Sequence, residues 1–267
     1  MPESFLILLA GGAMLAAAVS NPRQVTVHWL RLAGIVALAF AGLAVFFVLR
    51  RDVTADASAL YRRIQSGVLV CTVVAILAQL AFVQMLLLPT QRICAALGFA
   101  LAVMAGAGLI HERVPRSSSA ASIAKPQAVV LQTVACAGVA ALPGIALMDM
   151  LLGHAYLTAA RMTIAPFRRL NVALAGVLVM RIIVGIGAIV LQSRFPTELF
   201  WQRFGLLVAT RWVVGLLVPA VFVYMAHDCI KRRSTQSATG ILYVAGVLIF
   251  IGELVALYLT RETGLPF

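Results

Sequence analysis

The sequence predicts an all-α, polytopic integral membrane protein, a bundle of about eight transmembrane helices. Three observations predict it. Of the 267 residues, 63% are hydrophobic and 11% charged, against about 45–50% apolar and about 25% charged in a soluble domain. The mean hydropathy is +1.03. The apolar residues also run continuously over about 20 positions at a time, the length that crosses roughly 30 Å of hydrocarbon at about 1.5 Å per residue. A transmembrane barrel would instead show alternating segments of about 10 residues with a polar lumen face.

The first segment, Phe5–Val19, follows Met1-Pro2-Glu3. It has no basic n-region, so it is expected as a retained helix, although Ala18-Val19-Ser20 resembles a cleavage site. The second, Val25–Leu49, opens on His28, Trp29 and Arg31, types that anchor a helix at the head groups. The third, Gly67–Leu88, carries Gln79 and Gln84, and the fourth, Ile93–Ile110, is closed by His111. Small residues over Gly98–Gly108 and at Ala16–Ala18 suit close helix packing. The fifth is Ala128–Leu152, with an extension toward Ala160; Pro143-Gly144 interrupts it and predicts a kink near Val139–Pro143. The sixth is Val172–Leu191. The seventh, Leu206–Ala226, has a second expected break at Gly215 and Pro219, and the eighth is Gly240–Leu259.

Short connections leave no room for a soluble domain, so 1–267 reads as a single transmembrane domain. The longest are Arg50–Ser66 and Glu112–Gln127. The Ser/Ala stretch Ser117–Ser122 and Lys125-Pro126 make 112–127 a linker loop between a largely apolar four-helix half, 1–111, and a four-helix half with buried polar residues, 128–267. Phe195–Phe204 mixes aromatics with charge, as a short helix lying in the interface does.

The net charge of +12 does not point to nucleic acid here. Its basic residues gather at helix ends, in Arg50-Arg51, Arg62-Arg63, Arg168-Arg169 and Lys231-Arg232-Arg233, where they suit anionic lipid head groups. An even number of spans places both termini on one side. Lys and Arg divide about ten to about eight between the two faces, too even for the positive-inside rule to choose that side. Cys71, Cys94, Cys136 and Cys229 are scattered singly, which suggests neither a zinc site nor a disulfide framework.

Ionisable groups within the hydrocarbon are costly and are expected to face the bundle interior with partners. Asp149, His154, Arg181, Arg211 and Glu253 all lie in the last four spans. Depth matching of antiparallel spans puts Arg211 and Glu253 each roughly 9–10 Å from the face of the termini, close enough to pair. The same matching brings Asp149, about 12 Å from the other face, near Arg181 at about 14 Å, as a second pair. Both pairs fit a purely structural lock as well as a functional site. At about 100° per residue, Asp149, Gly153 and Tyr156 share one face of the fifth helix, and Met150, His154 and Thr158 another.

Neutral imidazole is a common haem ligand, which makes His28, His154 and His227 weak haem-ligand candidates, although no two lie on one helix at a repeating interval. A quinone makes weaker demands, an apolar slot with a His, Tyr or acidic group, and His154, Tyr156 and Asp149 supply those types. No Walker loop, His-Glu-x-x-His pair, Gly-x-Ser-x-Gly elbow or Rossmann fingerprint is present, so independent catalysis is not expected. The expectation is an integral membrane subunit of a larger assembly with other membrane subunits, interacting with quinone or protons in electron transfer. Its ligand-binding or proton-handling candidates are Asp149, His154, Tyr156, Arg181, Arg211 and Glu253. A small secondary transporter and a purely structural membrane subunit are the alternatives.

Overall fold

In hydrocarbon a backbone has no water to bond, so each apolar run closes its own ladder of hydrogen bonds as a helix. The computed structural model describes residues 2–50, 59–111, 126–158, 163–192, 197–265 and 267. Among these there is no strand. The helices are α1 (Pro2–Val19), α2 (Val27–Leu49), α3 (Ala59–Gln84), α4 (Leu88–His111), α5 (Pro126–Thr158), α6 (Ala165–Gln192), α7 (Thr197–Trp212), α8 (Val218–Lys231) and α9 (Thr235–Thr263). A π-helical turn, Val213–Leu217, joins α7 to α8 into one crossing, so the described residues contain 8 helices long and apolar enough to span a membrane. The chain is a multi-pass helical membrane protein.

Several boundaries differ from those expected. Ala59–Ser66, expected within a connection, is the first part of α3, and Pro126-Gln127 opens α5 instead of closing the linker. Proline suits that first position, where its missing N–H is no loss. The remainder of the 112–127 linker lies outside the described residues. Phe195–Phe204 is not a separate interfacial helix: from Thr197 it is the start of α7, continuous with the seventh crossing. Phe200 and Phe204 turn inward and pack with Ala188, Leu259 and Phe267. Phe195 and Pro196 lie outside the described residues.

Pro143 does not interrupt α5, which is helical on both sides of it. Such a proline is tolerated in a helix covered by protein, and α1 packs on this stretch, where Val139 clusters with Phe5, Leu8 and Leu9. Gly12 of α1 lies on the carbonyl of Ala140, and an added Cβ there would stand 2.8 Å from Gly144 Cα. The two backbones therefore cross with no room for a side chain on either. Gly144→Val is expected to destabilise the bundle by about 3 kcal/mol, the upper range for overpacking, read as a fall in the denaturant midpoint of the purified protein.

That crossing makes α1 and α5 the interior helices. Over an 18-residue apolar stretch of each, 72% of the residues are buried, against 28% for α2 and α3. The shortest predicted span is thus central rather than peripheral. Its Gly11-Gly12-Ala13 and Ala16-Ala17 stretches admit α2, α4 and α5 at close range.

The break expected at Pro219 takes the form of the π-turn. Proline has no N–H to give the carbonyl of Gly215, and the helix absorbs the misfit with one wider turn in which Val218 N–H donates to Val213 O. At the far end of α9, Gly264 adopts a left-handed φ of 73° and donates to Thr260 O at 2.9 Å. This conformation suits glycine and turns the chain back so that Phe267 stacks on Phe200, with centroids 6.2 Å apart.

Candidate functional site

Two polar sites lie in the second half of the chain. The first joins α6, α7 and α9. Arg181 donates from Nε to Glu253 Oε1 at 3.1 Å and from Nη2 to Glu253 Oε2 at 2.8 Å, a two-pronged grip on one carboxylate. Arg211 donates from Nη2 to Oε1 of the same group at 2.9 Å. A further bond runs from Arg181 Nη2 to the main-chain oxygen of Phe267, at 2.9 Å. All three side chains are withdrawn from the surface, Arg181 and Glu253 at 0% exposure and Arg211 at 2%.

Glycines make the space. Gly138 of α5 lies against the stem of Arg181, whose Cγ would stand 3.3 Å from an added Cβ. Gly215 of the π-turn crosses Gly252 of α9 backbone to backbone, and Arg211 Nη1 would be 3.2 Å from a Cβ on either. That Nη1 and Arg181 Nη1 are buried without a hydrogen-bond partner among the described residues.

The second site lies nearer the opposite end of α6. Asn171 Nδ2 donates to Asp149 Oδ2 at 3.4 Å, and Asn171 Oδ1 is 3.3 Å from Nδ1 of His227. Counting about 1.5 Å per residue from Thr158, Ala165 and Lys231, His227 is about 6 Å deep, Asn171 about 9 Å and Asp149 about 13 Å. The groups descend stepwise from one face. Asp149 and Asn171 are fully buried and His227 half-buried, and Asp149 Oδ1 has no hydrogen-bond partner among the described residues.

The expected Arg211–Glu253 pair is present. The expected Asp149–Arg181 pair is not: Arg181 turns to Glu253 and Asp149 receives Asn171. Arg181 lies 16 positions into α6 and Asn171 6 positions, about 15 Å apart along the helix, so the carboxyl of Asp149 meets the shallower one.

Neither His154 nor Tyr156 makes a described hydrogen bond to Asp149. His154 is exposed. The hydroxyl of Tyr156 donates to Thr163 O, and its ring stacks on Phe167 with centroids 5.3 Å apart. The helix face predicted for Asp149, Gly153 and Tyr156 is nevertheless the packed one, with Gly153 against Thr239 and Phe167. Of the haem-ligand candidates, His28 and His154 are exposed and His227 faces Asn171, and no described contact brings two of them together.

Asn171 was absent from the sequence-derived site. The expected sixth span began at Val172 and left this amide just outside it; the helix starts earlier, at Ala165, and so brings Asn171 into the bundle, where a buried amide needs a partner. The first half holds a polar tie of its own. Buried Gln79 donates to Leu30 O at 3.4 Å and reaches Gln91 Oε1 at 3.5 Å, tying α3 to α2 and α4. Comparison with protein-family models, curated proteins and solved structures finds no match to this chain.

Proposed function

We propose that this chain is a proton-handling membrane protein in which Asp149 is the proton site, reached from one membrane face by way of His227. The observation that carries this reading is the descending set His227, Asn171 and Asp149, which ends on a buried carboxyl with one oxygen unpartnered among the described residues. Each group has a distinct chemical part. Imidazole exchanges protons in the physiological range, and the carboxyl of Asp149 is a proton donor and acceptor removed from bulk water. Asn171 positions the two, because a primary amide neither gains nor loses a proton at neutral pH. The quinone expectation drew on His154, Tyr156 and Asp149 together; His154 is exposed and the Tyr156 hydroxyl donates to Thr163 O, which leaves Asp149 with Asn171 and favours the narrower proton reading.

The test is proton movement into vesicles containing the purified protein, followed with an entrapped pH-sensitive dye. Asp149→Asn is expected to abolish the flux, and His227→Gln to slow it by about 10²-fold, the usual worth of a positioned proton-transfer group. Infrared spectra should contain a pH-dependent carboxyl band that Asp149→Asn removes and Glu253→Gln retains. An unchanged flux and band in Asp149→Asn protein of normal helix content would overturn the reading.

A further inference from the structure

Among the described residues, the two rims of the bundle differ in the number of carboxylates that lie among their basic groups. The connections over residues 20–26, 85–87 and 232–234 are too short to cross a bilayer, so the helix ends that they join share a rim. Contacts add the start of α6 to it. Arg92 Nε of α4 donates to Ala18 O at 3.0 Å, and Arg169 Nη1 of α6 donates to Gln24 Oε1 at 3.0 Å. The α1–α2 turn is thereby flanked by α4 on one side and α6 on the other. Arg23 and His28 are on or beside that turn, and Arg168 precedes Arg169; all five of these basic side chains are exposed.

None of the five is matched by a carboxylate among the described residues. Arg92 and Arg169 meet neutral oxygens, which leave their charge in place. The acid described at this rim is Asp228, already held by Arg232 at 2.9 Å. The other rim mixes its charges: Glu3, Glu198 and Glu262 lie at helix ends there, with Arg203 3.9 Å from Glu262.

We propose that the cluster around the α1–α2 turn, Arg23, His28, Arg92, Arg168 and Arg169, is a docking surface for anionic phospholipid head groups. The cluster sits at the ends of membrane spans, where head groups lie. The guanidinium fork matches a phosphate oxygen pair, and each basic residue near an anionic surface contributes about fivefold to association. The cluster shares this rim with His227 but uses none of the side chains of the proton site.

The purified protein in detergent is titrated with short-chain phosphatidylglycerol, phosphatidylcholine or inorganic phosphate, and bound lipid is counted by native mass spectrometry. Phosphatidylglycerol is expected to bind at least about tenfold more tightly than phosphatidylcholine, with the preference reduced by salt. Arg23→Gln with Arg168→Gln, whose side chains take part in no described contact, should cost about 25-fold, two fivefold factors. Arg203→Gln with Arg261→Gln, on the other rim, should leave binding unchanged. Equal affinity for the two lipids, equal losses in both variant pairs, or displacement of phosphatidylglycerol by millimolar phosphate would each overturn the assignment.

Discussion

Glu253→Ala is expected to destabilise the bundle by about 3–5 kcal/mol, the range for removing one partner of a buried ion pair. The cost comes from what is left behind. Arg181 and Arg211 are 0% and 2% exposed and both bind this one carboxylate. Without it two guanidinium ions remain within the hydrocarbon, where a charged side chain at a helix centre carries about 2.5–3.5 kcal/mol on insertion scales. Part of that is relieved as the helices part and the arginines reach toward a head-group layer.

Glu253→Gln should cost less, since the amide keeps one acceptor oxygen for Arg181 or Arg211. Replacing all three by apolar residues of similar size, Arg181→Met, Arg211→Met and Glu253→Leu, should recover most of the loss, as it removes the stranded charges with their partner. The measurement is the midpoint of unfolding in mixed detergent and denaturant, followed by tryptophan fluorescence. A triple variant as unstable as Glu253→Ala would mean that the cluster contributes net binding between α6, α7 and α9. Recovery would make its charges dispensable for folding.

The fold class was legible because hydrocarbon thickness imposes a length on apolar runs, and eight such runs are plain in the letters. Which helices lie inside was not. Lipid tails are as apolar as a leucine core, so α1, buried on most of its length, and α2, largely facing outward, carry the same kind of sequence. Buried charge was legible as a list, and the Arg211–Glu253 pair followed from depth alone. The partner of Asp149 did not, because Asn171 and Arg181 occupy the same helix and only the packing of α5 against α6 selects between them. The connection of Arg181 to Phe267 depends on the left-handed turn at Gly264, which returns the chain onto a site far from it in sequence. The π-turn was half visible: Pro219 announces a misfit, but a kink and a wider turn both resolve one.

The glycine crossing at that turn sets the second large expectation. Gly252→Val should cost at least about 3 kcal/mol, at or beyond the upper end of overpacking. The obstruction is main chain, which cannot adopt another rotamer: an added Cβ on Gly252 would run into Gly215 Cα and stand 3.2 Å from Gly215 C. It would also reach Arg211 Nη1 at 3.2 Å, so the separation of α9 from the π-turn that relieves the clash also draws Arg211 away from Glu253. The loss should therefore be coupled to the charge cluster. Gly252→Val added to the apolar triple variant is expected to cost less than Gly252→Val alone, the signature of shared partners in a double-mutant cycle. Gly240→Ala on the same helix provides the contrast. Nothing lies within 4 Å of a Cβ there, and exchanging glycine for alanine in a helix interior gains up to about 1 kcal/mol, so stability should hold or rise. Equal effects at Gly252 and Gly240 would show that helix propensity, rather than the close approach of two backbones, governs this face of α9.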